Sequence, residues 1–300
     1  MSERREQKSK MVKMQIAPIS RWEVFLMAVH VRKVKDPILK LLARKIRALE
    51  AMKNRVRTLI LGSSHAQMGY IAQDGEFNLG SSYQDMYYTY EFYRRYCRTT
   101  ALENIVVFYS VFSQGSMLIR TRDARSCAGF KAVAGIDWED MALAEAMKLN
   151  RLCRPFSRKA TQFLSSHPLQ KDDCGNEYDY IPVRTPKASD RALAHLKNNS
   201  RDFDMTTWLV KLVEEAGRRR QKVFVVIPPA TSGYRAALPS GMLLFDNVRK
   251  AMSAFPDVKL LDFYDDMDFC DGDFIDWDHL SSTGAAKLTA KIRCELAPKQ

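Results

Sequence analysis

Five short apolar runs punctuate the chain, each followed by turn or helical sequence. Residues 57–61 read RTLIL, 76–79 EFNL, 104–110 NIVVFYS, 222–227 KVFVVI and 258–263 VKLLDF. The longer runs are continuous rather than alternating, the pattern of parallel strands buried on both faces. The run at 76–79 is the shortest and weakest of them. Helical periodicity fills the intervals at 84–96, 137–152 and 204–220, with Asp204 as a candidate N-cap of the last of these. A final helix follows Leu280, with Ser281 or Ser282 as N-cap, and ends near Leu296. Strands alternating with helices predict a three-layer α/β/α domain, flavodoxin-like, around a central parallel sheet.

One interval breaks the rhythm. About 110 residues separate the third strand from the fourth, far beyond an ordinary crossover. Residues 112–203 are therefore expected to form a helical insertion, with an irregular stretch around 165–186. Long insertions at strand ends often shape substrate sites, so a substrate-selecting cap is one reading and a peripheral structural insertion the other.

Charge divides the chain differently. The 300 residues carry 47 Lys/Arg and 35 Asp/Glu, a formal net of +12. Residues 1–57 hold 16 basic and 5 acidic side chains, a net of +11, and the remainder is nearly neutral. The expected organisation is thus a basic arm over 1–56 and an α/β body over 57–296. An excess confined to an arm removes most support for a whole-domain nucleic-acid interface. Within the arm, Ile38, Leu39, Leu41, Leu42, Ile46 and Leu49 recur at helical spacing, with Lys40, Arg44, Lys45 and Arg47 largely off that stripe. Such a helix either lies on an anionic membrane or acidic protein, or packs on the body with its charges solvated. The apolar run at 22–31 is too short to span a bilayer, where about 20 residues are needed, and lacks a signal-peptide cleavage pattern. None of the six cysteines falls in a CxxC pair, so neither a zinc ribbon nor a thioredoxin motif is expected. The location expected is cytoplasmic or peripheral to the inner membrane face.

Candidate chemistry sits in the neutral body. The first strand runs into Gly62-Ser63-Ser64-His65, and near the C-terminus stands Asp276-Trp277-Asp278-His279. In a parallel sheet, ligands bind outside the carboxyl ends of the strands. A Ser there needs an adjacent base to become a nucleophile. His279 is the candidate base, and Asp276 can accept from its second ring nitrogen, fixing the tautomer. His65, one residue from Ser64, points about 100° away along a helix, which suits a structural role or a substrate contact.

These two motifs resemble the SGNH (GDSL-like) hydrolase superfamily over roughly 57–296. The resemblance implies that Ser64 is the nucleophile and that Asp276 and His279 form the closing D-x-x-H. It further implies that the N–H groups of Gly80 and Ser64 hold the oxyanion. Two departures stand out: Ser63 replaces the usual Asp, and no Asn follows strand three. Ser110, Ser113 or Gln114 is left to replace that Asn. The activity implied is ester hydrolysis or O-acyl transfer, on an acylated small molecule or an O-acylated carbohydrate of bacterial surface polysaccharide. The alternative is a non-catalytic binding or scaffold protein of the same fold and pathway. No glycine-rich nucleotide loop or zinc-protease helix is present, and the acidic stretch 257–278 lacks EF-hand spacing. Neither cofactor nor metal is therefore expected. The tyrosines 83, 87, 88, 90, 93 and 96 suit packing, or a face for stacking sugars. Tyr234 and Arg235, past Pro228-Pro229, are placed for substrate contact.

Overall fold

The computed structural model describes residues 37–98, 101–117, 133–134, 136, 173–177, 187–199, 204–239 and 244–297. Its frame is a five-stranded, all-parallel sheet: β1 (Thr58–Leu61), β2 (Glu76–Asn78), β3 (Asn104–Phe108), β4 (Lys222–Ile227) and β5 (Lys259–Asp262). The spatial order is β2-β1-β3-β4-β5, the order of flavodoxin-like doubly wound sheets. All five expected strands form. β1 and β3 are buried almost along their whole length, which explains why their sequences do not alternate.

Eight α-helices are present among the described residues: α1 (Pro37–Met52), α2 (Ser64–Gly69), α3 (Met86–Tyr96), α4 (Ala188–Asn198), α5 (Thr206–Arg218), α6 (Ser232–Ala236), α7 (Asp246–Met252) and α8 (Ser282–Leu296). Helix α5 packs against α3 and α7, while α2 packs on α8. The caps are local and legible. Asp85 accepts from the Tyr88 N–H at the start of α3, and Ser281 accepts from the Gly284 N–H at the start of α8. Asp204 lies one residue ahead of the α5 N-cap, Met205, yet its carboxylate still accepts from the Thr206 N–H. The helix expected at 137–152 lies outside the described residues. Of the insertion, α4 and residues 173–177 are among the parts described.

The organisation differs from expectation at its N-terminal edge. The apolar stripe of α1 (Leu39, Leu42, Ile46, Leu49, Met52) belongs to the same core as the sheet. Each such side chain contributes about 1.5–3 kcal/mol when fully buried. The boundary expected at residue 57 therefore cuts through a packed unit, and this side of α1 faces the sheet. Lys45, counted with the basic face, is fully buried, and its Nζ donates to the Gly80 carbonyl at 2.7 Å. Burial lowers its pKa to about 7, while Glu177 and Asp173 pull the other way. Residues 173–177 cover the open edge of β2: the Asn78 N–H donates to the Cys174 carbonyl at 2.9 Å. The Asn176 carboxamide bonds both the N–H and the carbonyl of Ala72. A segment of the insertion thus protects an edge strand. No described helix is long and apolar enough to cross a membrane, and Cys97, Cys174, Cys270 and Cys294 are free thiols.

Candidate active site

β1 ends in a turn that only glycine fits. Gly62 has φ of +138°, and a Cβ there would meet the Cβ and carbonyl oxygen of Phe108 at 3.0 Å. The chain then enters α2 with Ser64 as its first helical residue. Ser64 is partly exposed, whereas Ser63, His65 and Ser110 are buried. Ser64 follows β1 and Ser110 follows β3, so the two flank the point where the strand order reverses, the usual ligand crevice of such sheets.

The C-terminal loop meets Ser64 there. His279 Nε2 lies 2.9 Å from Ser64 Oγ, and His279 Nδ1 lies 2.8 Å from Asp276 Oδ2. The other Asp276 oxygen accepts from the N–H groups of Asp278 and His279 at 3.0 and 2.8 Å. A carboxylate so engaged makes Nδ1 the protonated nitrogen of His279 and leaves Nε2 as an acceptor for the Ser64 hydroxyl. Burial opposes the Asp276 charge, but the hydrogen bond and charge of His279 outweigh it and keep the carboxyl below its ordinary value. The loop is anchored on β4's side by Thr231, whose hydroxyl donates to the Trp277 carbonyl at 2.8 Å. Ser64, Asp276 and His279, read separately from two distant motifs, therefore form one hydrogen-bonded line.

Gly80 differs from expectation. Its N–H donates to Asn78 Oδ1 at 2.9 Å and is already committed. The glycine is needed for another reason: a Cβ would sit 2.6 Å from the Gln67 nitrogen and 2.7 Å from the Ala66 Cβ, inside α2. Asn78, absent from the sequence reasoning, organises this contact. Its Nδ2 donates to the carbonyls of Ala66 and Tyr70 at 2.8 and 2.7 Å, satisfying the end of α2. The candidates left for the missing Asn also separate. Ser113 Oγ accepts from the Ser110 N–H at 2.8 Å, and Ser110 Oγ lies 3.0 Å from His65 Nδ1. The half-buried Gln114 makes no side-chain hydrogen bond among the described residues.

His65 is not a bystander. Its Nε2 lies 3.1 Å from Asp278 Oδ2. Arg191, from α4 of the insertion, holds the same carboxylate with Nε at 2.8 Å and Nη2 at 3.3 Å. One turn along α4, His195 reaches within 3.8 Å of Asp278 and is hydrogen-bonded through Nδ1 to the Tyr234 hydroxyl. Burial lowers the His65 pKa below its ordinary value and takes that of His195 down to about 3. Both rings are thus neutral near pH 7. Burial opposes the charge of Asp278 too, but His279 and the His65 hydrogen bond hold its carboxyl well below the carboxylate range. The Asp-x-Asp-His alternation was the available signal for Asp278. Nothing local signalled Arg191 or His195.

Two expectations of substrate contact change. Tyr234 is buried on His195, and Arg235 bonds the carbonyls of Ala230 and Tyr264, so both are structural. Of the tyrosine group, Tyr87, Tyr88, Tyr93 and Tyr96 are core residues, and Tyr83 is the exposed one, with φ of +68°. His65, Asp278 and His279 bring three ligand-type atoms within 4.8 Å of one another. Arg191 already neutralises Asp278 there, and His279 is engaged by Asp276 and Ser64, a poor donor set for a cation.

Compared with known proteins, the chain matches no family model, and no curated protein matches it.

Proposed function

We propose that this protein is a serine-dependent ester hydrolase or O-acyltransferase of the SGNH type. The observation that carries the reading is the line from partly exposed Ser64 through His279 to Asp276, at the switch point of a 2-1-3-4-5 sheet. His279 Nε2 takes the Ser64 proton as Oγ attacks the acyl carbonyl, and Asp276 stabilises the resulting imidazolium. The oxyanion of the tetrahedral intermediate faces the first turn of α2, where the Ser64 N–H has no intrahelical partner. The imidazolium then protonates the departing alcohol oxygen. Water, or an acceptor hydroxyl, deprotonated by the same Nε2, then attacks the acyl carbonyl; the Oγ–acyl bond breaks and the imidazolium returns its proton to Ser64 Oγ. Exclusion of water decides between hydrolysis and transfer. The substrate class is an O-acylated carbohydrate, on the strength of the family resemblance alone. The test is release of acetate from O-acetylated sugars and p-nitrophenyl acetate by the full chain. Ser64→Ala abolishes it, and turnover unchanged in that variant contradicts the reading.

A second reading, a binding or scaffold protein of the same fold, is favoured by one specific observation. The Gly80 N–H and the Ser110 hydroxyl are both engaged within the protein, which thins the oxyanion donors. A fluorophosphonate probe separates the two readings, since a binding protein leaves Ser64 unlabelled.

A further inference from the structure

Behind the Ser64–His279–Asp276 line runs another, built on the residues that immediately precede Ser64 and His279. Ser63 precedes Ser64 and Asp278 precedes His279. Ser63 Oγ lies 3.3 Å from Ser110 Oγ, Ser110 Oγ 3.0 Å from His65 Nδ1, and His65 Nε2 3.1 Å from Asp278 Oδ2. Arg191 closes the far end as a two-pronged donor to Asp278.

The proton directions follow from the ends. Asp278 is ionised and accepts only, so His65 presents Nε2–H to it. A neutral imidazole then has a bare Nδ1, which accepts a hydrogen bond from its nearer neighbour, the Ser110 hydroxyl. Ser63, at 3.4 Å from Nδ1, is left to donate to Ser110 Oγ. Ser63, Ser110, His65 and Asp278 are all buried, and each of the two hydroxyls and the His65 Nε2–H has an acceptor. A further sign shows the Ser63 hydroxyl diverted. Ser63 is the N-cap of α2, where a serine oxygen ordinarily accepts from the first turn, yet its side chain makes no capping bond. The His65 ring also lies against that of His279, with centroids 4.8 Å apart.

We propose that Ser63–Ser110–His65–Asp278–Arg191 is a positioning line that sets the Ser64-to-His279 geometry, and that His65 is its central positioning residue. It joins the shoulder of the nucleophile to the shoulder of the base across β1, β3 and the C-terminal loop. It also makes the insertion, through α4, part of the reaction centre. The proposal rests on the serine-hydrolase reading above.

The test is the labelling rate of Ser64 by a fluorophosphonate, with kcat and KM for p-nitrophenyl acetate, on the full chain. A misplacement near 1 Å costs about 10²-fold in rate, so His65→Phe is expected to lose about that in kcat and in labelling, with KM nearly unchanged. His65→Gln can donate to Asp278 and accept from Ser110, and should recover most of the loss. Should His65→Phe fail to fold, Ser110→Ala, a small truncation, decides: a loss of about tenfold in kcat is expected. Wild-type rates in His65→Phe or Ser110→Ala, or equal losses in the Phe and Gln variants, overturn the proposal. A wild-type chain that takes no label at Ser64 overturns the hydrolase reading itself, and the positioning line falls with it.

Discussion

His279 Nε2 and Ser64 Oγ stand 2.9 Å apart although 215 residues separate them in the chain. The contact forms because β1 and the loop before α8 both end at the carboxyl edge of the sheet, where α2 packs on α8. Its chemical meaning depends on which ring nitrogen carries the proton, and Asp276 decides that.

Asp276→Asn therefore has a defined consequence. The amide offers a donor as well as an acceptor to Nδ1 and allows the wrong tautomer of His279. Esterase kcat should fall by about 10⁴, with little change in thermal midpoint. A loss below tenfold in steady-state kinetics contradicts the assigned tautomer.

Asn78 holds the helix that carries Ser64. Asn78→Ala strips two buried carbonyls and the Gly80 N–H of their partner. Each orphaned group costs about 1–3 kcal/mol, so urea denaturation should show a loss of several kcal/mol. A midpoint within error of wild type contradicts the bonding described.

Stability should fall in mild acid. The unfolded chain's His195 takes up a proton at about 6.5, but the buried folded ring refuses it until about pH 3. Between these values the unfolded state binds more protons, so stability is intact above about 6.5 and declines as pH drops. At pH 5 one such histidine costs about 2 kcal/mol. His195→Gln, whose amide can still face Tyr234, should flatten the decline between pH 7 and 5. An equally steep decline in the variant excludes His195 as its source.

Lys45 acts in the alkaline range. Its folded pKa is about 7, against 10.5 ordinarily. From pH 7 to about 10 the unfolded chain holds a proton that the folded chain has shed, so stability should rise with pH. Denaturant midpoints at pH 7 and 9 should show this rise in wild type and not in Lys45→Met. The same rise in both contradicts the burial of an uncharged amine.

What could be read from sequence follows from range. The strands were legible because short, β-branched apolar runs such as NIVVF suit a strand covered on both faces. Ser64, Asp276 and His279 were legible because each sits in a short motif at a strand end or helix start. The Gly80 N–H was misassigned because its fate depends on the Asn78 side chain two residues earlier, not on the glycine. The place of α1 was left open because a stripe of Leu and Ile reads alike on a membrane and on a sheet; Leu39, Leu42, Ile46 and Leu49 pack in the core. Arg191 and His195 were out of reach, since their partner Asp278 lies more than 80 residues away, across the fold.

The reactivity of Ser64 is tested most directly by mass spectrometry after exposure of the full chain to a fluorophosphonate. The account predicts a single adduct on the peptide containing Ser64, slowed in Asp276→Asn and absent from Ser64→Ala. No adduct, or an adduct that persists in Ser64→Ala, would contradict it.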